Sequence, residues 1–213
     1  MRKAAVIPLV IFAAGLFYTF GSLESPRSNP PSPPFLKGEK GGLFSSAGAE
    51  VSAQKGGEVM VFTINSTAFK EGGAIPKPYT CDGADTNPPL AFSDIPDGAK
   101  SLVLIMDDPD VPKNIRPDGQ WDHWIVFNMP PDTREIGEDT LARGVYGKNT
   151  FEKAAYGGPC PPDREHRYFF KLYALDALLD FSEGAVKKDI EQAMEGHVLA
   201  KAELMGTYDR QKE

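Results

Sequence analysis

The chain has 213 residues, of which 41% are hydrophobic and 10% aromatic, a composition typical of a folded domain and not of a disordered or polytopic membrane protein. Its 23 Lys and Arg residues are outnumbered by 30 Asp and Glu residues, which gives a formal net charge of -7. Because binding to a phosphate backbone needs a surplus of cations on one face, this charge argues against a nucleic-acid partner. The 19 Pro and 21 Gly residues indicate a loop-rich, mainly β chain.

Residues 1–21 have the pattern of a membrane-directed segment. Arg2 and Lys3 precede an apolar run over residues 4–20, and the next cation is Arg27. This asymmetry predicts that the rest of the chain is exported, to the periplasm or outside the cell. The run is long enough for a signal peptide or for a short anchor that tethers the protein to the membrane, and the sequence leaves both alternatives open.

Residues 22–57 have the composition of a disordered linker. In the stretch 21–57, 19 of 37 residues are Gly, Pro or Ser, so the segment buries too little apolar surface to offset its ordering entropy. A single domain is therefore predicted over residues 58–213, and it contains all three His and both Cys residues. This domain holds 17 Lys and Arg against 27 Asp and Glu, a net charge of -10, so any anion it binds must be held by local geometry.

Short segments rich in β-branched and aromatic residues predict strands along this domain. In chain order they are Val59–Ile64, Ser101–Met106, His123–Asn128, Tyr168–Leu175 and Leu199–Tyr208. Apolar residues at positions 186, 190, 193 and 194, followed by Gly196, predict one helix of about three turns. Because the strands lack intervening helices, we predict a mainly β fold with one antiparallel sheet or two packed sheets, and not a doubly wound parallel sheet.

Residues that can carry chemistry lie where predicted strands begin or end. Asp108 and Asp110 lie in a Pro-containing turn after the second strand, and His123 opens the third between two Trp residues. His166 and Tyr168 follow a Pro-rich loop, and the period of two in a strand places them on the same face. Taken singly, each group is more typical of a turn or of a structural histidine than of a binding site.

Six short motifs occur in order along the domain: Cys81-Asp82-Gly83, Asn87-Pro88-Pro89-Leu90, Asp108-Pro109-Asp110-x-Pro112, His123-Trp124, Gly158-Pro159-Cys160-Pro161-Pro162 and His166-Arg167-Tyr168. In this order and at this spacing they resemble the phosphatidylethanolamine-binding protein family, and most of all its prokaryotic, Raf-kinase-inhibitor-like branch. The resemblance extends from about residue 60 to residue 210. The fold of that family, two antiparallel sheets with a few peripheral helices, agrees with the strand pattern.

The resemblance implies a pocket for a phosphate-like anion, such as a phosphoethanolamine head group. The matching positions are Asp108, Asp110, Pro112, His123, Gly158, His166 and Tyr168. Two carboxylates beside two imidazoles should raise the pKa values of the histidines, so that protonated rings donate hydrogen bonds to a phosphoryl oxygen. A backbone N–H near Gly158 and the Tyr168 hydroxyl would add donors, and the Asp pair would receive an ammonium group.

Two further expectations accompany the resemblance. Arg164-Glu165 stands where the family usually has a Gly two residues before the histidine, and Arg164 could extend the anion site. Cys81 and Cys160 are the only cysteines, and the resemblance brings both to the pocket end of the fold, so we expect a disulfide in an oxidising compartment. The alternative is a pair of separate, partly buried thiols.

The first functional hypothesis is a non-catalytic binding protein that acts as an inhibitor of a protease or kinase. The second is an enzyme that hydrolyses phosphoesters, since the site contains residues of the types that hold a catalytic metal: Asp108, Asp110, His123 and His166. No H-E-x-x-H, G-x-S-x-G or Walker motif supports the second hypothesis, and no motif indicates a metal site or a cofactor. A third alternative is a structural envelope protein whose Asp and His residues form only a hydrogen-bond network. The oligomeric state has no sequence signature here.

Overall fold

The computed structural model describes residues 53–55 and 58–210, with side chains from Met60 onward. The predicted signal peptide or anchor at residues 1–21, and the linker up to residue 52, lie outside the described residues. The strands are β1 (Ala53–Lys55), β2 (Glu58–Met60), β3 (Thr63–Asn65), β4 (Gly73–Ala74), β5 (Leu90–Ser93), β6 (Ser101–Asp108), β7 (Trp121–Met129), β8 (Glu135–Ile136), β9 (Val145–Tyr146), β10 (His166–Leu175) and β11 (Val198–Tyr208). One α-helix, α1 (Lys187–Met194), lies between β10 and β11, and a 3₁₀ turn covers Lys77–Tyr79.

The strands form a six-stranded sheet in the order β4-β11-β10-β6-β7-β9 and a three-stranded sheet in the order β3-β5-β8. Strands β1 and β2 pair with each other. Pairing is antiparallel throughout these sheets except between β4 and β11, which run parallel. The prediction of a mainly β fold with antiparallel sheets is therefore confirmed.

The predicted elements differ from the observed ones mainly at their ends. The predicted strand Val59–Ile64 is two strands, β2 and β3, and β1 lies inside the segment predicted as linker. The predicted three-turn helix is shorter, because Val186 has an extended backbone and α1 contains only eight residues. Gly196 follows the helix with a φ of +79°, the left-handed conformation expected of a C-terminal glycine.

The six-stranded sheet has apolar side chains on both faces. One face, which we name the sandwich face, packs Leu104, Val126 and Phe170 with Ile64 and Phe92 of the three-stranded sheet. The opposite helix face packs Val103, Ile105 and Phe127 against Ile190 and Met194 of α1. Because both faces are covered, all eight residues of β6 are buried, which explains its nearly continuous apolar sequence.

The alternation of side chains continues to the end of β6. Asp107 therefore lies on the helix face, where it meets Lys187 of α1, whereas Asp108 lies on the sandwich face, where it meets His166. Two adjacent carboxylates thus enter two different environments.

A register shift changes this alternation in β7. Met106 pairs with Trp124 and Asp107 pairs with Asp122, so His123 is an extra residue between two pairs. Without the shift His123 would share the helix face with Ile125, two residues later. The irregularity instead directs its ring to the sandwich face, where it packs against Tyr168 at 5.2 Å between ring centroids.

Candidate functional site

A cavity of about 230 Å³ lies at one end of the six-stranded sheet. The antiparallel arrangement brings the end of β6 together with the beginnings of β7 and β10, which supply Asp108, His123 and His166. The complete lining is Asp108, Val111, Ile115, Trp121, His123, Phe151, Cys160, Pro162 and His166. Polar groups are gathered at the floor, and apolar side chains form the walls.

His166 lines the cavity and lies between two carboxylates, of which only Asp108 belongs to the lining. Its Nδ1 is 2.7 Å from Oδ2 of Asp108, and its Nε2 is 2.9 Å from Oδ1 of Asp163. The hydrogen bond from His166 lowers the pKa of the Asp163 carboxyl, although partial desolvation opposes the shift. Since an ionised carboxylate can only accept, Nε2 of His166 carries a hydrogen and donates it.

Asp108 is almost fully buried, and its Oδ1 accepts a 2.7 Å hydrogen bond from the backbone N–H of Asp110. Burial raises the pKa of the Asp108 carboxyl, whereas the hydrogen bonds from His166 and from the Asp110 backbone act in the opposite direction. The carboxyl is therefore fixed in position while its charge is only partly compensated.

His123 differs from the prediction. Burial lowers the pKa of His123 to about 4, and the attraction of Asp107 and the carbonyl groups near Gly157 does not compensate for it. The expectation that carboxylates raise the pKa of this histidine was wrong, because desolvation outweighs them. The carbonyl oxygen of Gly157, 2.7 Å from Nδ1, can only accept, so the neutral ring has its lone pair on Nε2 and is not a cation.

Two buried polar groups have no hydrogen-bond partner among the described residues: one belongs to the lining residue Trp121, and the other to Tyr168, which packs against His123 but does not itself line the cavity. The hydroxyl of Tyr168 is buried close to the backbone of Cys160 but makes no hydrogen bond of acceptable geometry, and the indole N–H of Trp121 is also unpaired. Burial raises the pKa of the Tyr168 hydroxyl far above its ordinary value, so it remains a neutral donor. Tyr168 lies on the same face as His166, as predicted.

Asp110 belongs to the same turn but does not line the cavity. Arg167 holds its carboxylate with two side-chain hydrogen bonds of 2.8 and 2.7 Å and a backbone bond of 3.0 Å. This guanidinium lowers the pKa of the Asp110 carboxyl, although partial burial acts against the shift. In contrast to the prediction, the second carboxylate of the Asp pair is neutralised by Arg167 and does not line the cavity with the imidazoles.

Pro112 contributes through its backbone. Its carbonyl oxygen accepts hydrogen bonds of 2.8 Å from the Ile115 N–H and 3.0 Å from the Arg116 N–H. These bonds close the turn that carries Val111 and Ile115 into the cavity wall. Pro112 therefore shapes the wall without being part of it.

Gly158 also has a role different from the predicted one. Its backbone N–H donates to Oδ1 of Asp85 at 2.7 Å, so this donor is already used. A Cβ atom at this position would lie 2.5 Å from the carbonyl oxygen of Tyr79, which leaves room only for glycine. Gly158 therefore permits close packing of two loops, and the expectation of a backbone donor to the ligand is not met at its own N–H.

The predicted disulfide is present between Cys81 and Cys160, whose Cα atoms are 5.5 Å apart. It ties the loop that precedes β10 to the segment after the 3₁₀ turn. Cys160 itself lines the cavity, so the cross-link fixes one of its walls.

Arg164, which stands where the family usually has a glycine, lies outside the cavity. Its guanidinium donates to Oδ2 of Asp163 at 2.8 Å and to the carbonyl oxygen of Asp110 at 3.2 Å. Arg164 thus connects the two turns that border the cavity.

Several site residues were missed from the sequence. Asp163 could have been suspected from its position three residues before His166, and Trp121 from its position two residues before His123. Ile115 and Phe151, half-exposed apolar residues of the wall, have no sequence signal because they come from separate loops.

Within residues 60–210, no group of three or more His, Cys, Asp or Glu side chains is arranged to hold a metal ion. In the same part of the chain, no helix is both long and apolar enough to cross a membrane.

Residues 65–209 match the sequence profile of a family described as phosphatidylethanolamine-binding protein. A Chlamydia muridarum protein named UPF0098 protein is 52% identical over 147 residues, which are 69% of this chain and 98% of the relative. A Methanothermobacter thermautotrophicus protein of the same name is 47% identical over 153 residues, 69% of this chain and 98% of the relative.

Solved structures show the same relationship. A Chlamydia trachomatis protein, described as a homolog of phosphatidylethanolamine-binding protein (PEBP), superimposes with a TM-score of 0.68 and 50% identity. The match covers 70% of this chain and 97% of that one. Escherichia coli YbcL, described as a member of the mammalian PEBP family, superimposes with a TM-score of 0.63 and 29% identity, covering 69% and 97% of the two chains. The profile match spans most of the chain and the relatives are matched over nearly their whole length, so this chain belongs to the phosphatidylethanolamine-binding protein family.

Proposed function

We propose that this protein binds a phosphate monoester with an organic substituent in the cavity on the sandwich face, and that it does so without turnover. The observation that carries the proposal is the Nε2–H of His166, a residue of the cavity lining, which donates to the Asp163 carboxylate. A donor that already holds one anionic group can hold another of similar geometry. A phosphoryl oxygen is such a group, since charge-assisted hydrogen bonds to it are strong.

The unpaired donors support the same ligand class. Leaving a buried polar group without a hydrogen bond costs about 1 to 3 kcal/mol, so the indole N–H of the lining residue Trp121 and the hydroxyl of Tyr168, which packs against the lining residue His123, are candidate donors to a ligand. A phosphoryl group has several acceptor oxygens, and small movements of the floor would let it receive hydrogen bonds from Trp121 and Tyr168 as well as from His166.

The walls and the charge narrow the ligand class further. Val111, Ile115 and Phe151 offer apolar surface to a substituent rather than to water. The Asp108 carboxyl in the cavity lining and the net charge of -10 over residues 58–213 disfavour a bare dianion. An organic monoester, with an ammonium group as in phosphoethanolamine or with an aromatic group as in phenyl phosphate, therefore fits better than inorganic phosphate.

Calorimetric titration tests this proposal. Phenyl phosphate and phosphoethanolamine should bind the wild-type protein more tightly than inorganic phosphate does. His166→Asn keeps a side-chain amide near Asp108 but removes the Nε2 donor, so binding should fall by roughly tenfold or more. Tyr156→Phe is the matched control, because the Tyr156 hydroxyl donates to the Tyr79 carbonyl oxygen and does not line this cavity. Equal affinity of wild type and His166→Asn would contradict the proposal.

The same solutions distinguish binding from catalysis. If the Asp and His residues hydrolyse phosphoesters, inorganic phosphate accumulates with time from phenyl phosphate, and His166→Asn abolishes its release. We expect no release above that of the buffer. A protease or kinase partner remains a prediction from the family resemblance.

We also propose that the protein is exported. The cation-then-apolar pattern of residues 1–21 motivates this proposal, and the Cys81–Cys160 disulfide supports it because disulfides persist in oxidising compartments. Cell fractionation tests it, since full-length protein with two free thiols in the cytosol would contradict export.

A further inference from the structure

Asp163 covers the Nε2–H donor of His166. The His166 side chain is 0% exposed, whereas the Asp163 side chain that contacts its Nε2 is 43% exposed. The other ring nitrogen is held by Asp108 at 2.7 Å. A ligand can therefore reach His166 only if one of these two carboxylates leaves.

The two carboxylates differ in how easily they can move. Asp108 is buried on β6 and is fixed by the backbone N–H of Asp110 at 2.7 Å. Asp163 lies on an exposed turn, and its side chain can rotate without disturbing a strand. Asp163 is therefore the carboxylate that a ligand would displace.

A second cavity offers a place for the displaced carboxylate. It has a volume of about 550 Å³ and is lined by Asp163, by Arg164 and by Pro162, which also lines the first cavity. Arg164 holds Oδ2 of Asp163 at 2.8 Å, so the carboxylate keeps a cationic partner when its Oδ1 leaves His166. Asp163 thus lines the second cavity, and through its Oδ1 it contacts His166, which lines the first.

The backbone under Asp163 is held in place. Pro161 and Pro162 precede it directly, and the disulfide at Cys160 anchors the loop to Cys81. The exchange between the two positions can therefore be a side-chain rotation, with no opening of the loop.

We infer that Asp163 is an internal competitor of the ligand: its carboxylate occupies the anion position on His166 and rotates toward the second cavity when a phosphoryl group binds. This inference rests on the proposed function. It makes Asp163 a specificity-determining residue, because a ligand must bind better than a carboxylate that is already tethered. A phosphoryl group can do so through its additional acceptor oxygens, whereas a free carboxylate such as acetate offers nothing that Asp163 lacks.

Neutralising Asp163 should therefore strengthen binding. Asp163→Asn retains the shape of the side chain but accepts more weakly, and Asp163→Ala removes the competitor. We expect the affinity for phenyl phosphate to rise roughly tenfold in either variant. Acetate, which should not bind the wild-type protein measurably, should become a detectable ligand of Asp163→Ala. Glu165→Gln is the charge control, since it removes one negative charge from the same exposed turn and should change affinity much less.

Calorimetric titration of phenyl phosphate and acetate into the four proteins, each checked for folding by circular dichroism, decides between the outcomes. If the wild type binds and the Asp163 variants bind equally or more weakly, the competitor role is overturned while the proposed function stands. If Glu165→Gln gains as much as Asp163→Asn, the effect is only one of net charge and the inference is also overturned. If none of the proteins binds either probe, both the inference and the proposed function fail. Asp163→Asn keeps the test valid should Asp163→Ala not fold.

Discussion

Asp107 and Asp108 are adjacent in the sequence and both buried, yet they lie on opposite faces of the sheet and have different surroundings. On the helix face, Asp107 accepts from Lys171 at 2.7 Å and from Lys187, which also contacts Asp122 at 3.1 Å. On the sandwich face, the Asp108 carboxyl is hydrogen-bonded to the His166 imidazole and to the backbone N–H of Asp110. One carboxylate is surrounded by ammonium groups, and the other borders a cavity.

This difference separates a structural cluster from a binding site. On the helix face two lysines balance two carboxylates, and although burial lowers the pKa of Lys187, the carboxylates outweigh it and the net shift is upward. On the sandwich face burial raises the pKa of Asp108, and donors such as the Tyr168 hydroxyl lack partners. Both faces contain buried polar atoms without a hydrogen-bond partner, Asp107 Oδ1 among them, so the balance of charge and the neighbouring cavity are what distinguish the candidate binding site from the structural cluster.

The Cys81–Cys160 disulfide borders the sandwich-face cavity. Its removal should lower the free energy of unfolding more than any of the changes that follow. It closes a loop with a sequence separation of 79, for which the chain-entropy model gives a stabilisation of about 4 to 5 kcal/mol. Urea unfolding of Cys81→Ser/Cys160→Ser against the oxidised wild type measures this value. Wild type in reductant is the control and should resemble the double variant. A difference below about 1 kcal/mol would show that other contacts hold the loop.

Breaking the helix-face cluster should have the next largest effect. Asp107→Ala leaves Lys187 buried with Asp122 as its remaining carboxylate partner among those described, which should cost about 3 kcal/mol of unfolding free energy. Asp108→Asn should cost only about 1 kcal/mol, because burial already disfavours the charged form of that carboxyl. Chemical denaturation measures both. Equal losses would mean that the two carboxylates have the same structural role.

His123 should make stability depend on pH. Its pKa is near 6.5 in an unfolded chain and about 4 in the fold, so between these values the unfolded state binds more protons. The stability is fully present above the unfolded value and is lost as the pH falls toward 4, by about 2 kcal/mol at pH 5.

His123→Asn keeps a donor near the Gly157 carbonyl oxygen but does not titrate, which makes it the matched variant. Unfolding free energies at pH 7 and pH 5 should show a smaller decrease for the variant than for the wild type. Parallel decreases would assign the acid sensitivity to other groups, such as the paired carboxylates.

The smallest expected change in stability concerns two tyrosine hydroxyls, whose removal should shift the free energy of unfolding in opposite directions. Tyr168→Phe removes a buried hydroxyl without a hydrogen bond and should raise stability by up to about 1 kcal/mol while weakening phenyl phosphate binding. Tyr156→Phe removes a hydroxyl that donates to the Tyr79 carbonyl oxygen at 2.7 Å and should lower stability by about 1 kcal/mol. Thermal unfolding and calorimetry check both. Loss of stability in Tyr168→Phe would contradict a hydroxyl reserved for a ligand.

Much of the fold and part of the site could be predicted from local sequence. Strand periodicity gave the positions of β6, β7, β10 and β11 and placed His166 and Tyr168 on one face. The family resemblance predicted that Cys81 and Cys160 lie close enough to form a disulfide, and this disulfide is present in the structure.

What could not be predicted depends on contacts between distant segments. The register shift that reorients His123 arises from the pairing of β6 with β7, and the low pKa of the ring arises from its complete burial. The partner of Asp110 is Arg167, 57 residues away, and the need for glycine at position 158 is set by the Tyr79 backbone. Neither contact has a local pattern in the sequence.

A crystal structure of the protein grown with phenyl phosphate compares the two faces of the sheet in one experiment. We expect ligand density in the sandwich-face cavity, with a phosphoryl oxygen about 3 Å from Nε2 of His166. Density on the helix face beside Lys171 and Lys187, with the sandwich-face cavity empty at a concentration that saturates the calorimetric titration, would contradict this expectation.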